Sequence, residues 1–394
     1  MTKRKNSKIP VIALLVATLS VDVSAQHYND ATAGRNVSGV AQEFNAPKLD
    51  SIEAIEANRL VNGFDAIAGS HGTVHLLDTS GKVDIEIKVN SKSDTLAEMD
   101  DGRFKKSFDT YKGTVNGQPA MLVRWDDRLS ISWIVNGSEQ RMLREFVKDS
   151  PERTRIPEKI RKINPLNYAK SGSDILVDSP IAGSQAAVSK RKKRMASDSP
   201  TSNEIIAVHV FVHQDTGATD FGSIHAGYFA WWSDHMAKDI LPGVRVRVRF
   251  IFNEDGINNM AYRNLEGGRE AALKNFGERV VEYRNKNSIF GSGITNKFLL
   301  FTEYSLDSTT LGIAKFGQDF AIASNDDYNV GAHELGHLMG AIHDDGVVNY
   351  NGWWCDTIMS WPVPFRSSCY TYSEASKQRI REYFRNHAGF QLPG

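Results

Sequence analysis

The sequence predicts an α/β (α+β) protein, in which a mixed, twisted sheet with helices packed on it follows a smaller β-rich domain. Residues 195–394 alternate between apolar strand-like runs and amphipathic helical runs, an order typical of a mixed sheet covered by helices. Residues 60–148 instead contain short alternating segments separated by turn residues. With 394 residues, 41% of them hydrophobic, the chain is long enough for two or three domains with buried cores.

The first 25 residues are typical of a secretory signal. Four basic residues within positions 3–8 precede an apolar run at 9–19, and small residues at 23–25 fit a cleavage site. The apolar run is too short to cross a bilayer comfortably. We therefore predict a secreted protein that starts near Gln26 and has no membrane anchor.

Residues 26–194 are predicted to be a propeptide whose β-rich part covers 60–148. Asn116 and Gly117, between two of its alternating segments, are a strong signal for a two-residue hairpin. The predicted strands are Thr73–Leu77, Val83–Val89, Asp109–Val115, Pro119–Trp125 and Leu129–Val135.

Residues 149–194 are rich in Pro, Ser, Gly and Lys and are predicted to be a linker, which ends in five basic residues at 190–194. Such a run is compatible with a solvated surface, a nucleic-acid or nuclear-localisation patch, or a processing site. Its position in an exported protein, ahead of a catalytic-like region, favours cleavage after Arg194. We therefore expect the protein to be made as a zymogen.

The net charge of zero hides an asymmetry between the two parts of the chain. Residues 1–194 carry 30 Lys and Arg against 24 Asp and Glu, whereas residues 195–394 carry 17 against 23. Opposite signs suit two parts that dock on each other, and the mildly acidic C-terminal part argues against a nucleic-acid partner.

Residues 195–394 are predicted to be the catalytic domain. The predicted strands are Glu204–Val212, Val244–Phe252, Lys297–Thr302, Leu311–Phe316 and Phe320–Ser324. The predicted helices are Ser223–Leu241, Gly267–Lys286, Asp327–Met339 and Ser373–His387, the third with N-cap candidates at 325–327.

The third helix carries the motif H-E-x-x-H-x-x-G-x-x-H-D at 333–344. His333 and His337 share one helix face and can hold one Zn²⁺, while Gly340 permits the turn that brings in His343. Three His ligands leave a position open for water, as in catalytic zinc sites, and Glu334 can take a proton from the zinc-bound water. Surface histidines on an amphipathic helix, or zinc without catalysis, are the alternatives.

The extended motif, with Met359 downstream in a Thr-Ile-Met-Ser turn at 357–360, resembles that of the metzincin zinc endopeptidases. Asp344 after the third His is similar to the reprolysin (adamalysin) branch, and secreted bacterial peptidyl-Asp metalloendopeptidases share this size and layout. The resemblance covers about 200–390. It implies a metzincin catalytic domain with an active-site helix and a Met-turn, in which Met359 packs beneath the zinc and is not a ligand.

The resemblance also implies that Gly312, Ile313 and Ala314 form an edge strand that pairs antiparallel with substrate, although a protected sheet edge is the alternative. Arg366 could pair with an acidic substrate side chain or be an ordinary surface arginine. Trp361 stands where some related families have a tyrosine, so that residue's role is not transferred. Asp344 is expected to tie the ligand loop to the Met-turn.

Cys355 and Cys369 are the two cysteines of the chain. In an exported protein such a pair predicts one disulfide, here around the loop that carries Met359, with unpaired thiols as the alternative. The propeptide has no cysteine that could cap the zinc. Asp65 is a candidate for a capping carboxylate, and steric filling of the cleft by the propeptide is the alternative.

The function predicted from these residues is zinc-dependent hydrolysis of peptide bonds in proteins. The expected partners are protein or peptide substrates and the chain's own propeptide as inhibitor, and we expect a monomer. The sequence does not address calcium binding. A non-enzymatic binding module is a competing hypothesis that Glu334 argues against, and a toxin subunit delivered by a partner chain is another.

Overall fold

The computed structural model describes residues 49–77, 82–100, 105–134, 141–148, 175–176, 205–217, 221–289, 293–350, 354–360, 367–390 and 392. The predicted signal at 1–25, Arg194, Trp361 and Arg366 lie outside these ranges. Within them, none of the helices has the length and apolar character needed to cross a membrane.

Residues 49–148, the N-terminal region, form a helix followed by antiparallel strands. Helix α1 spans Leu49–Ile67, and the strands are β1 Thr73–Leu77, β2 Val83–Lys92, β3 Leu96–Asp100, β4 Lys105–Val115, β5 Gln118–Trp125, β6 Arg128–Ile134 and β7 Arg141–Val147. All five predicted strands are present, whereas α1, β3 and β7 were not predicted. Asn116 and Gly117 both have positive φ, 49° and 76°, as the hairpin prediction requires.

A separate apolar core holds this helix on the sheet. Leu60, Val61 and Phe64 of α1 are fully buried against strand residues such as Ile87 and Leu122. The alternation of strand residues puts these side chains on one face of the sheet, and the opposite face is left for other contacts.

Residues 205–392, the C-terminal region, form a mixed sheet covered by helices on both faces. Its strands are β9 Ile205–Val212, β10 Arg245–Ile251, β11 Asn296–Thr302, β12 Gly312–Lys315 and β13 Phe320–Ser324, with a small second sheet of β14 Val348–Tyr350, β15 Trp354–Asp356 and β16 Ser367–Ser368. Its helices are α2 (residues 221–240), α3 Gly268–Lys286, α4 Val330–Leu338 and α5 Glu374–Ala388. Two stretches of α2, His225–Phe229 and Met236–Ile240, are π-helical.

The main sheet runs β10-β9-β11-β13 with all strands parallel, and β12 is added antiparallel to β13. One face packs on α2 and α4 through a core that includes Val210 and Phe229, and the other packs on α3 through Phe211 and Phe276. This arrangement confirms the predicted mixed sheet with helices, and it places α4 beside β12.

Helix α4 begins later than predicted, at Val330 instead of Asp327. The Asp327 carboxylate accepts a hydrogen bond from the Asn329 backbone N–H at 2.7 Å, which closes a local turn ahead of the helix. The helix ends at Leu338 because Gly340 adopts φ 89°, as the motif predicted.

Among the described residues, the two regions share one continuous sheet, which has 13 strands when β8 between the regions is counted. Strand β3 pairs parallel with β10, and a two-residue strand β8, Ile175–Leu176, pairs parallel with β12. The β-rich part of the predicted propeptide is therefore an extension of the same sheet that carries the histidine motif.

Candidate metal centre and active site

The three predicted histidine ligands converge at one point. Nε2 of His333 lies 2.9 Å from Nε2 of His343 and 3.1 Å from Nε2 of His337, and the remaining pair is 3.2 Å apart. Helix α4 presents the first two from successive turns, and the chain reversal at Gly340 returns the third. Within the described residues, these histidines are the one cluster of three or more His, Cys, Asp or Glu that could hold a metal ion.

The donor set fits zinc. A tetrahedral zinc bound at about 2.0–2.1 Å separates its nitrogen ligands by about 3.3–3.4 Å, which is close to the three observed distances. Within the part of the chain that the structure describes, the cluster consists of three imidazoles, which matches the ligand number of a catalytic zinc site.

Backbone carbonyls orient two of the imidazoles. Nδ1 of His333 lies 2.7 Å from the carbonyl oxygen of Ile358, and Nδ1 of His337 lies 3.0 Å from that of Ala341. A carbonyl only accepts, so each Nδ1 carries the proton and each Nε2 keeps its lone pair for a metal.

Glu334 lies in α4 beside His333 and is 2% exposed. Its side chain packs against the backbone of Gly312 in β12. A Cβ atom built on Gly312 would lie only 2.7 Å from Cγ and Cδ of Glu334, so the glycine makes room for this carboxylate. The catalytic candidate is thus held between the helix and the strand predicted to bind substrate.

Met359, which the resemblance implies packs beneath the zinc, lies closely against α4. A Cβ atom on Gly336 would meet the Met359 sulfur at 2.6 Å and Tyr372 Cε1 at 2.9 Å, so only glycine allows this approach. The predicted disulfide between Cys355 and Cys369 is present and encloses the Met359 segment.

The link between the ligand loop and the Met-turn is made by residues other than Asp344, which is exposed. The Val347 backbone N–H donates to the Thr357 hydroxyl at 2.9 Å. The Val347 carbonyl accepts from the Thr357 backbone N–H at 3.0 Å and from the Ser360 hydroxyl at 3.2 Å. The neighbouring Asp345 pairs with Arg379 on α5.

Two residues that sequence reasoning missed anchor the ends of α4. The Lys297 ammonium is completely buried and donates to the Leu338 carbonyl at 2.9 Å and to the Tyr383 hydroxyl at 2.8 Å, and burial lowers the pKa of this lysine to about 7. The Tyr372 hydroxyl donates to the Ala332 carbonyl at 2.5 Å. A lysine inside an apolar strand sequence was the one available signal.

The predicted substrate strand, Gly312 to Ala314, is β12, at the margin of the sheet beside Glu334. Its outer edge is partly covered, because Ala314 and Lys315 are register partners of Ile175 and Leu176 in β8. Residues from the predicted linker therefore lie along the strand expected to bind substrate.

The structure does not support Asp65 as a capping carboxylate. Its two oxygens accept hydrogen bonds from the Arg124 guanidinium at 2.7 and 3.0 Å, and Lys148 lies 3.6 Å away. These cations outweigh the effect of partial burial and lower the pKa of Asp65. The partners of this carboxylate are cations of the N-terminal region itself, and not the histidines of the motif.

Comparisons with known proteins agree with this geometry. No family model matches the chain. A zinc metalloproteinase/disintegrin from Bitis gabonica is 27% identical over 136 residues, which are 32% of this chain and 39% of the length of that protein. The solved structure of metalloproteinase-II from Bacteroides fragilis matches 82% of this chain and 94% of its own with a TM-score of 0.52, at 13% sequence identity.

The structural match shows the fold, and the sequence match is to a zinc metalloproteinase. Together with the three converging histidines, they show that this chain is metzincin-like in sequence and has a metalloproteinase fold.

Proposed function

We propose that this protein is a secreted zinc-dependent endopeptidase, made as a zymogen, that hydrolyses peptide bonds in proteins. The observation that carries the proposal is the convergence of the His333, His337 and His343 Nε2 atoms within 2.9–3.2 Å of one another, with buried Glu334 on the same helix. These three histidines would hold one zinc ion.

Zinc bound there would supply a Lewis acid that polarises the scissile carbonyl and acidifies the attacking water. Glu334 would accept a proton from that water at its carboxylate and deliver it to the nitrogen of the leaving amine. The confinement of its side chain by Gly312 keeps the carboxylate beside the scissile bond of a peptide on β12.

Substrate binding is assigned to the edge of β12. Main-chain atoms of Gly312, Ile313 and Ala314 would hold an extended peptide antiparallel to the strand. Met359 and the disulfide loop would support the floor and wall of the site. Arg366 remains a candidate for pairing with an acidic substrate side chain, as a peptidyl-Asp preference would require.

The pairing of β8 with β12 supports inhibition by the chain's own propeptide. Because Ile175–Leu176 runs parallel to β12, it has the opposite direction to a substrate held antiparallel on the same strand. Cleavage after Arg194 would separate this segment covalently from the catalytic region.

Casein hydrolysis by protein matured near Arg194 tests the proposal, with and without a strong zinc chelator and beside Glu334→Ala. The expected result is loss of activity in both cases. Activity that survives the chelator and the substitution would overturn it. Mass spectrometry of the mature N-terminus tests the processing step, and a start far from Met195 would contradict it.

A further inference from the structure

The N-terminal region covers most of one strand edge of the C-terminal region. Strand β10 is the outermost strand of the C-terminal sheet on that side, and β3 pairs with it in parallel over five residues, from Leu96–Arg247 to Asp100–Ile251. An ion pair between Glu98 and Arg249, at 2.5 Å, joins the same two strands. We call the boundary between the N-terminal region and the β10 and α2 elements the seam. Without β3, β10 would present unpaired backbone groups to solvent.

The two regions also share a hydrophobic core. Phe108 packs edge-to-face against Trp125. The centroid of its ring lies 6.1 Å from that of Phe250 on β10. The backbone of α2 approaches so closely that a Cβ atom on Gly222 would lie 2.5 Å from Cδ1 of Trp125. Such packing is typical of a protein interior, and of obligate interfaces, which resemble a divided core.

Buried polar groups of α2 find their partners on the N-terminal region. Asp234, 6% exposed, accepts from the Lys112 ammonium at 2.6 Å and from the Ser93 hydroxyl at 3.2 Å. His225, which is fully buried, is hydrogen-bonded through Nε2 to the Thr110 hydroxyl at 3.1 Å. Separation of the regions would leave these buried groups of α2 without those partners, which is costly unless water replaces them.

The hydroxyl of Ser132, on β6, also bonds to α2 across the seam. It donates to the Ala226 carbonyl at 2.7 Å and accepts from the Trp231 indole N–H at 2.7 Å. The Ala226 carbonyl belongs to a π-helical stretch of α2, so the N-terminal region supplies a hydrogen-bond donor to the backbone of an irregular helix.

From these contacts we infer that cleavage of the linker leaves the N-terminal region bound to the C-terminal region as a stable non-covalent subunit. The inference rests on the proposed function only in that the linker is cut during maturation. The docking surface is the β10 edge with the adjoining face of α2, and its occupant is this chain's own residues 49–148. Release of the N-terminal region then needs a second event beyond the cut, such as its degradation.

The test uses full-length protein in a Glu334→Ala background, so that the fragments are not digested by each other. A recognition sequence for a sequence-specific protease is inserted between residues 185 and 200, the protein is cut, and the products are separated by gel filtration without denaturant. Co-elution of both fragments in equal amounts is expected. Separate elution, or precipitation of the C-terminal fragment alone, would overturn the inference.

This outcome does not depend on peptidase activity. Failure of the proposed function would appear as absence of casein hydrolysis by Glu334 protein from which the N-terminal region has been removed, whereas failure of the inference appears as fragment separation after the cut alone.

A matched pair of charge reversals tests the geometry of the seam. Lys112→Glu places a carboxylate against Asp234 across the seam, and we expect it to raise the dissociation constant of the cut complex about 10- to 100-fold. Lys92→Glu removes a 2.7 Å ion pair with Asp109 that lies wholly within the N-terminal region, and it should change the constant less than about threefold. Equal effects of the two variants would contradict the assigned seam.

Discussion

Replacement of Gly312 by alanine should strongly slow peptide hydrolysis while the zinc stays bound. The added methyl carbon would stand 2.7 Å from Cγ and Cδ of Glu334, well inside an ordinary van der Waals contact, so the carboxylate must move by about 1 Å. A displacement of that size can cost about 100-fold in rate, and loss of a general base costs about 10²–10⁴-fold. We therefore expect kcat/KM to fall by 10²–10⁴, or about 3–5 kcal/mol of transition-state stabilisation.

The assay is hydrolysis of a fluorogenic peptide by matured protein, with zinc content measured on the same samples. Gly389→Ala, in the part that the matured protein retains, serves as the control, because a methyl carbon there would meet no atom within 4 Å. Its φ of 74° strains alanine locally, at the end of α5, so this variant should lose some stability but keep kcat/KM. The double variant Gly312→Ala with Glu334→Ala separates two effects. If the methyl group acts through the carboxylate, the double variant is no slower than Glu334→Ala alone.

Activity of Gly312→Ala within about threefold of wild type would refute this account of Glu334. A double variant much slower than Glu334→Ala would show instead that the methyl group obstructs the substrate.

Two other predictions concern the stability of the fold, and a third concerns zinc retention. Replacement of Cys355 and Cys369 by serine should cost about 3 kcal/mol of unfolding free energy, the value expected for a loop of about 15 residues, and an unchanged thermal midpoint would contradict this. Burial lowers the pKa of His225 to about 3, so the unfolded chain takes up a proton around pH 6.5 that the folded one does not, and stability should fall by about 2.3 kcal/mol between pH 6.5 and 4.5. Denaturant titrations should show a smaller fall for His225→Gln, and equal slopes would exclude this histidine as a cause. Gly336→Ala should push Met359 away from α4 and weaken zinc retention against a chelator, and unaltered retention would show that this packing does not support the ligands.

The local elements and the motif could be predicted because their signals are contained in short stretches of chain. The hairpin at Asn116 and Gly117 follows from the tolerance of these residues for positive φ, and the return of His343 follows from the same property of Gly340. The three histidines therefore lie together, as the motif predicted.

The parts that escaped prediction depend on contacts between distant segments. Strand β3 is stabilised by β10, about 150 residues away, so its own sequence gives little indication of a strand. Lys297 stands in an apolar strand, and only the folded structure shows that its ammonium meets the end of α4. Asp344 was expected to link the ligand loop to the Met-turn, but Val347 provides that link through its backbone, which side-chain patterns do not reveal.

The most direct test of the central claim is a zinc titration of chelator-stripped, matured protein while peptide hydrolysis is measured. The proposed site predicts that activity returns in proportion to added zinc and saturates at one equivalent per chain. It also predicts that Glu334→Ala takes up the same equivalent without regaining activity. Full hydrolysis by the stripped protein, or recovery of activity by zinc-loaded Glu334→Ala, would contradict a mechanism in which three histidines hold the metal and one glutamate moves the proton.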